Sequence, residues 1–300
     1  MVKKHAIRYW HVTIAINTIN LNNHDKSLIF LDMKVLLMHC NDLRKIDEMI
    51  TKWLKNIDQI IPNLIAEMET DTKLNRFDLV TNVDKQIQNE FQVFLQTHLE
   101  GHQLFAEEKN NDEIDPRQGH VWIMDPIDGT ANLVKQQEDY CIILGYFVDG
   151  EPKLSYIYDY PHQHLYKAIE NEGAFDNDQA MKQPIHMDIK EAILSFNTQV
   201  MNDETIHQLY DASFSHRIIG SCGLDSIRVI KGQFGAHINT NPKPWDIAAQ
   251  FLFAKELGLK MTSLNGGSID LSTAAPFIIS NEGCYSAVLE ILNSNSGYER

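Results

Sequence analysis

Asp125 and Asp128 carry the densest chemistry in the sequence. They stand in Met124-Asp125-Pro126-Ile127-Asp128-Gly129-Thr130, where Pro126 stiffens the turn and lets both side chains and the Ile127 carbonyl face one spot. Oxygen donors gathered in this way suit magnesium, which takes only oxygen ligands. Gly129 and Thr130 follow directly, where a helix can begin and aim free N–H groups at a phosphate oxygen. Phosphate monoesters hydrolyse extremely slowly unaided, and enzymes that cleave them without a covalent intermediate clamp phosphate and water between metal ions. The sequence offers a metal site and an anion site side by side. Taken alone, the hexapeptide from Asp125 to Thr130 also reads as a turn and helix cap, where aspartate is common.

A haloacid-dehalogenase-type phosphatase is a second chemical reading, with an aspartate nucleophile and one residue before the second aspartate. Here Pro126 and Ile127 both intervene, and a long patterned stretch precedes the turn, which disfavours it. His162 and His164 could suggest a metal pair, but alternate residues of a strand share a face and the surface reading is preferred. Asn265-Gly266-Gly267 has no helical pattern behind it and reads as a plain connection.

These residues need elements to hold them. From Asp42, Leu43, Ile46, Met49, Ile50, Trp53, Leu54, Ile57 and Ile61 recur at spacings of three and four, which predicts an amphipathic helix interrupted at Pro62. Ile87, Phe91, Phe94 and Leu95 predict a second helix over 84–99. Val121 to Met124 is a buried strand that ends at the aspartate turn, and Asp149-Gly150 joins strands over 141–148 and 153–158 as a hairpin. Helical patterns over 203–211, 225–231 and 247–257 then alternate with strands over 193–196, 235–238 and 277–280, an α/β layer. The segment up to Met38 keeps neither period for long. Three divisions result: an N-terminal appendage, poorly ordered, over 1–37; a helix-plus-sheet half over 38–187; an α/β half over 188–300.

The chain has 300 residues and 43% hydrophobic content, enough for a substantial core. Its net charge of −15, with no basic run, excludes nucleic acid as an expected partner and hints at bound cations. Cys40, Cys141, Cys222 and Cys284 lie far apart with no CxxC pair, so buried free thiols and a cytoplasmic setting are expected. No apolar run is long enough for a membrane span, and the basic start lacks a cleavage site.

Trp122-Ile123-Met124-Asp125-Pro126-Ile127-Asp128-Gly129-Thr130-Ala131-Asn132 resembles the central signature of the inositol monophosphatase family. Asp78 to Asp84 (Asp-Leu-Val-Thr-Asn-Val-Asp), Ala106-Glu107-Glu108, Gly173-Ala174-Phe175 with Asn177, and Pro244-Trp245-Asp246-Ile247-Ala248-Ala249 resemble further family blocks in family order, across residues 42 to 292. The resemblance implies the layered αβαβα sandwich of the inositol monophosphatase and fructose-1,6-bisphosphatase type, two or three Mg2+ per site, lithium sensitivity and a homodimer. It implies metal ligation by Glu107, Asp125, Asp128, Asp246 and the Ile127 carbonyl, with Glu107 also counted in the catalytic set. Asp84 and Thr130 would position and deprotonate an attacking water, with no phosphoenzyme. Gly129 and Thr130 amides would hold the phosphate, and Lys73 matches a lysine on a mobile loop. Glu107 and Glu108 taken alone are ordinary solvated carboxylates, and Asp246 alone is an N-cap for the helix that follows.

Asn239 stands where many family members have a glutamate that binds sugar or inositol hydroxyls, which weakens an assignment to inositol phosphate. Asp225 is expected to be a substrate ligand or a helix cap, and Asp246 to contribute to substrate binding. Ala106 and Leu133 replace a frequent glycine and phenylalanine, changes of packing only. The expected reaction is hydrolysis of a phosphate monoester of a small metabolite, inositol phosphate first, with NADP, fructose 1,6-bisphosphate or a nucleotide 3′-phosphate as alternatives on the same fold. A regulatory protein-binding module is the alternative from another class, and the intact carboxylate set argues against it.

Overall fold

The computed structural model describes residues 42–73, 79–273, 275–294 and 297–299; the expected appendage over 1–37 and Asp78 lie outside them. The chain forms two compact units, one ending at Lys52 and one running from Trp53 to Arg300. In the first, residues 42–52 are helical. The second opens with helical residues 53–57 and, after a turn, α1 (Ile61–Ala66), which has Pro62 in its first turn. A proline there gives up an N–H that has no helical partner anyway, so Pro62 starts a new helix rather than bending an old one.

A short ribbon, β1 (Thr70–Thr72) and β2 (Leu79–Thr81), leads into α2 (Asn82–His98). Thr81 caps α2 through a reciprocal box: its hydroxyl accepts from the Val83 and Asp84 amides, and the Asp84 carboxylate accepts from the Thr81 N–H at 2.8 Å. Ile87, Phe91 and Leu95 form its buried stripe, and Phe91 meets Trp122 edge-on at 5.5 Å.

The seven-stranded sheet runs in simple order: β3 (Gln103–Ala106), β4 (His120–Asp128), β5 (Cys141–Val148), β6 (Glu151–Asp159), β7 (His164–Ile169), β8 (Gly173–Asp176) and β9 (Gln179–Ala180). Every neighbouring pair is antiparallel except β3 with β4. The hairpin at Asp149-Gly150 forms as expected, with φ of 51° and 81° at the two positions. The aspartate turn differs from expectation. It lies inside β4, which continues to Asp128 through a register shift between Asp125 and Asp128. Pro126 has no N–H for the ladder, so the strand bulges there and resumes. Helix α3 (Thr130–Gln136) follows, as Gly129 and Thr130 suggested.

The five-stranded sheet has the order β11-β10-β12-β14-β13. Its parallel core is β10 (Ile193–Phe196), β11 (Ser215–His216) and β12 (Ala236–Asn239), with β13 (Lys260–Ser263) and β14 (Phe277–Ser280) antiparallel at one side. Five helices serve it: α4 (Asp203–Ala212), α5 (Cys222–Ile230), α6 (Pro244–Ile247), α7 (Gln250–Leu257) and α8 (Glu282–Leu292). Ile143 and Ile157 of one sheet pack with Ile227, Leu252 and Phe253 of α5 and α7, and these with Phe277 and Ile279 of the other sheet. On its far side Leu194, Phe196 and Ile278 bury Leu209 of α4 and Val288 of α8. The layers are helix, sheet, helix, sheet, helix: the αβαβα sandwich expected from the sequence. Among the described residues no helix is long and apolar enough to cross a membrane.

Candidate functional site

β4 delivers two carboxylates whose surroundings differ. Asp125 Oδ1 accepts from the Ile127 N–H at 3.0 Å across the bulge. Asp128 is gripped chiefly from the start of α5: its oxygens accept from the Cys222 N–H at 3.1 Å, the Gly223 N–H at 2.7 Å, the Ser221 hydroxyl and, weakly, from the Cys141 thiol of neighbouring β5 at 3.4 Å. An anion at a helix start is favourable, because the first N–H groups lack helical partners. Glycine at 223 allows the approach, since a Cβ there would stand 2.8 Å from the Cys141 sulfur and 3.2 Å from Asp128 Oδ2.

Glu107 follows β3, its N–H donating to the Met124 carbonyl at 3.3 Å, so it stands beside β4. Lys73 donates to Glu107 Oε1 at 2.6 Å and also to Glu108. Asp246 enters from α6, where it is the third helical residue: Lys243 is the cap, and its N–H donates to Asp246 Oδ2 at 2.8 Å. The expected capping position is therefore corrected by three residues, because Pro244 takes the first turn.

Burial raises Asp125 well above the usual carboxylate range, helped by the charges of Glu107, Asp128, Asp246 and Asp84. Burial and then Asp128 do the same to Asp246. Asp128 is raised by burial although four donors oppose it. Glu107 is raised by burial against the pull of Lys73. Burial opposes the charge of Lys73, but its bonds to Glu107 and Glu108 prevail and its pKa rises. Among the described residues no three histidines, cysteines or carboxylates close into a finished cage. What exists is a set of acidic groups that burden one another and offer oxygen donors only. That donor set fits a hard divalent cation, which would relieve the repulsion that raises their pKa values.

Thr130 lies next to this set. Its hydroxyl reaches Asp84 Oδ1 and the Ile127 carbonyl, both at 3.0 Å, and has one proton for the two acceptors. Asp84 is fully buried, and burial raises its pKa against the Thr81 and Thr130 hydrogen bonds. Gly129, at φ 93°, turns the chain from β4 into α3, and a Cβ there would meet the Asp139 carbonyl at 3.1 Å.

Asp225 is 1% exposed and turned inward, accepting from Ser195 Oγ at 2.7 Å and from the Ile219 and Gly220 amides. This holds the loop that ends at Ser221. Behind it runs a buried chain that sequence spacing could not reveal. Ser195 gives its one proton to Asp225, so it accepts from His237 Nδ1 at 3.0 Å, which leaves Nε2 facing the Cys222 thiol at 3.7 Å. Burial lowers the His237 pKa, in keeping with a neutral ring. Ser221 itself, the cap of α5 and a donor to Asp128, was also missed; a serine two residues before a glycine carries little signal alone. His162 and His164 pair with Asp159 and Asp176 at the surface, as expected. The three described cysteines are buried free thiols.

A layered αβαβα scaffold with clustered acids beside a Gly-Thr helix start defines a class of phosphatases. Comparison with known proteins narrows it. The inositol monophosphatase family model matches residues 42–295, and the chain belongs to that family of phosphatases. It is 37% identical over 229 residues to the inositol-1-monophosphatase of Bacillus subtilis, covering 74% of this chain and 86% of that one. A solved IMPase/NADP phosphatase complexed with NADP and Ca2+ superposes with a TM-score of 0.85 at 65% identity, over 86% of this chain and 98% of that chain. A staphylococcal inositol monophosphatase-1 in a LiCl-soaked inhibitory complex gives the same TM-score and identity, over 86% and 97%.

Proposed function

We propose that the chain is a magnesium-dependent phosphate monoester hydrolase for small metabolites, with inositol monophosphate and the 2′-phosphate of NADP both within its range. The observation that carries this is the Thr130–Asp84 hydrogen bond beside four mutually repelling acids. Glu107, Asp125, Asp128, Asp246 and the Ile127 carbonyl would hold two or three Mg2+. Bound there, magnesium supplies charge neutralisation for phosphate oxygens and acidifies water. Thr130 orients the attacking water and Asp84 takes up proton density through the Thr130 hydroxyl. Gly129 and Thr130 amides, at the start of α3, hold the phosphate; Asp246 and Asn239 face the rest of the substrate. Asp225 serves binding indirectly, by fixing the loop before Ser221. Lys73 neutralises Glu107 until a metal does so. The family resemblance supports a cytoplasmic homodimer, and the LiCl complex of the staphylococcal relative supports lithium inhibition.

The test is phosphate release from inositol 1-phosphate, NADP, fructose 1,6-bisphosphate and a nucleotide 3′-phosphate, with Mg2+, with excess chelator and with added LiCl. Turnover is expected only with the metal, and LiCl should depress it. Full activity in excess chelator sinks the mechanism.

A further inference from the structure

β10 and β12 lie side by side and parallel, with Phe196 opposite Ile238. Asn197 and Asn239 therefore stand together at the carboxyl ends of adjacent parallel strands, where such sheets bind ligands. Backbone donors fix how both amides point. The Thr240 N–H donates to Asn197 Oδ1 at 3.1 Å, and the Asn241 N–H donates to Asn239 Oδ1 at 3.0 Å. A backbone N–H cannot accept, so the atom facing it is oxygen in each case. The second lone pair of each oxygen is also taken. Thr240 Oγ1 donates to Asn197 Oδ1 at 2.7 Å, and Asn197 Nδ2 donates to Asn239 Oδ1 at 3.1 Å. An amide oxygen has two lone pairs, so both oxygens are full and N–H groups alone remain to meet a ligand. His237, two residues before Asn239 and on the same face of β12, meets the thiol of Cys222 at 3.7 Å, and the Cys222 N–H holds Asp128 at 3.1 Å. The edge belongs to the acidic site.

We propose that Asn197 sets substrate selectivity: it ties down the Asn239 oxygen and leaves a donor-only edge that favours phosphate esters with a second anionic group, nucleotide phosphates among them, over neutral polyol phosphates. A polyol hydroxyl can accept at this edge, but its own proton finds no acceptor on Asn197 or Asn239. A phosphate oxygen has no proton to place and takes a charge-assisted bond. The inference rests on the phosphatase reading above.

The experiment measures kcat/KM for NADP and for inositol 1-phosphate, with Mg2+, in the parent and three variants. Asn197→Ala adds no charge and frees the Asn239 oxygen. Asn239→Asp keeps an acceptor for Asn197 and Asn241 but replaces the donor group with oxygen. Asn239→Leu removes the donors without charge, and decides the matter if Asn197→Ala does not fold. Each should lower the NADP-to-inositol-phosphate ratio about tenfold, the scale of one hydrogen bond to a charged group. A ratio within twofold of the parent in the uncharged variants overturns the proposal, even if Asn239→Asp lowers it, because repulsion alone would explain that. A parent that cleaves inositol 1-phosphate but not NADP overturns the selectivity inference and spares the phosphatase reading. Release from neither substrate overturns both.

Discussion

The two sheets contribute to the site in different ways. The seven-stranded sheet sends Asp125 and Asp128 from β4 and Glu107 from the residue after β3, whose N–H still bonds the Met124 carbonyl, so their spacing is set by a hydrogen-bonded ladder. The five-stranded half sends Asn197 from just beyond β10, Asn239 from the last residue of β12 and Asp246 from a helix start. Three of the four acids proposed to hold cations sit on or beside that ladder, and the fourth, Asp246, comes from a helix start. Asn197 and Asn239, proposed to face the variable part of a substrate, stand at strand ends, where a side chain can change at little cost to a ladder. Asp128 joins the two, since its carboxylate belongs to β4 and its donors to α5.

Substitution of the two β4 aspartates gives the largest expected effects and tests that joint. Asp125→Asn and Asp128→Asn should each lower kcat by about a hundredfold or more at saturating Mg2+, since each removes a ligand charge where charge is needed most. Their melting temperatures in chelator should part company. Asp125→Asn removes a buried charge that makes one hydrogen bond and should be neutral or stabilising. Asp128→Asn sets an NH2 group against the α5 donors and should cost about 1–3 kcal/mol. Equal melting shifts would dissolve the distinction between a ligand and a ligand that also bridges.

Metal-free stability against pH comes next. Asp125 and Asp246 have folded-state pKa values raised above their unfolded ones, so the folded protein binds more protons than the unfolded chain, and stability falls as pH rises through the folded values. In chelator the melting temperature should drop as pH rises from about 4, the unfolded carboxylate value, toward the folded ones. His102, whose pKa burial lowers to about 4, acts in the opposite direction between that value and 6.5. Stabilisation by Mg2+ should grow over the same window; a metal-free melting temperature that rises with pH contradicts the repulsion described for these acids.

A smaller effect is expected for Ser221→Ala, which takes one donor from Asp128. Apparent Mg2+ affinity should fall about tenfold, the scale of a lost partner behind a metal ligand, with kcat at saturating Mg2+ much less affected. Smallest is Ser195→Ala, two hydrogen bonds further back. It should cost about 1 kcal/mol in stability and raise KM by a few-fold, with little change in kcat. A larger fall in kcat than in Mg2+ affinity for either serine would show that the five-stranded half takes part in the chemical step.

Much of the metal-facing half was legible in the sequence because its chemistry is local. Asp125, Ile127, Asp128, Gly129 and Thr130 form one short run, and Asp149-Gly150 states its own turn. The run Val121 to Met124 predicts a strand that stops at the aspartate turn, whereas the ladder resumes at Asp128 opposite Cys141; bulges are set by the partner strand, which a single segment does not show. β3, β8 and β13 were not anticipated, since four-residue strands at or beside a sheet's edge carry little periodicity. The link from Cys222 through His237 and Ser195 back to Asp225 joins three elements, α5, β12 and β10, that no single segment shows together. Nor could the orientation of the Asn239 amide be read without Asn197 and the Asn241 N–H beside it.

The cysteines give the molecule a labelling clock. Cys141 and Cys222 lie between the two sheets, their thiols pushed far above the ordinary range by burial, while Cys284 lies under the outer helices with its thiol pushed up to about 12. Thiolate is the form that alkylating reagents attack, so each residue waits for its own layer to open. Mass spectrometry that resolves alkylation at each of these three would follow the inner and outer layers separately, with no substitution in the protein. Because Cys141 and the Cys222 amide both touch Asp128, the inner pair would also register how tightly that carboxylate is held.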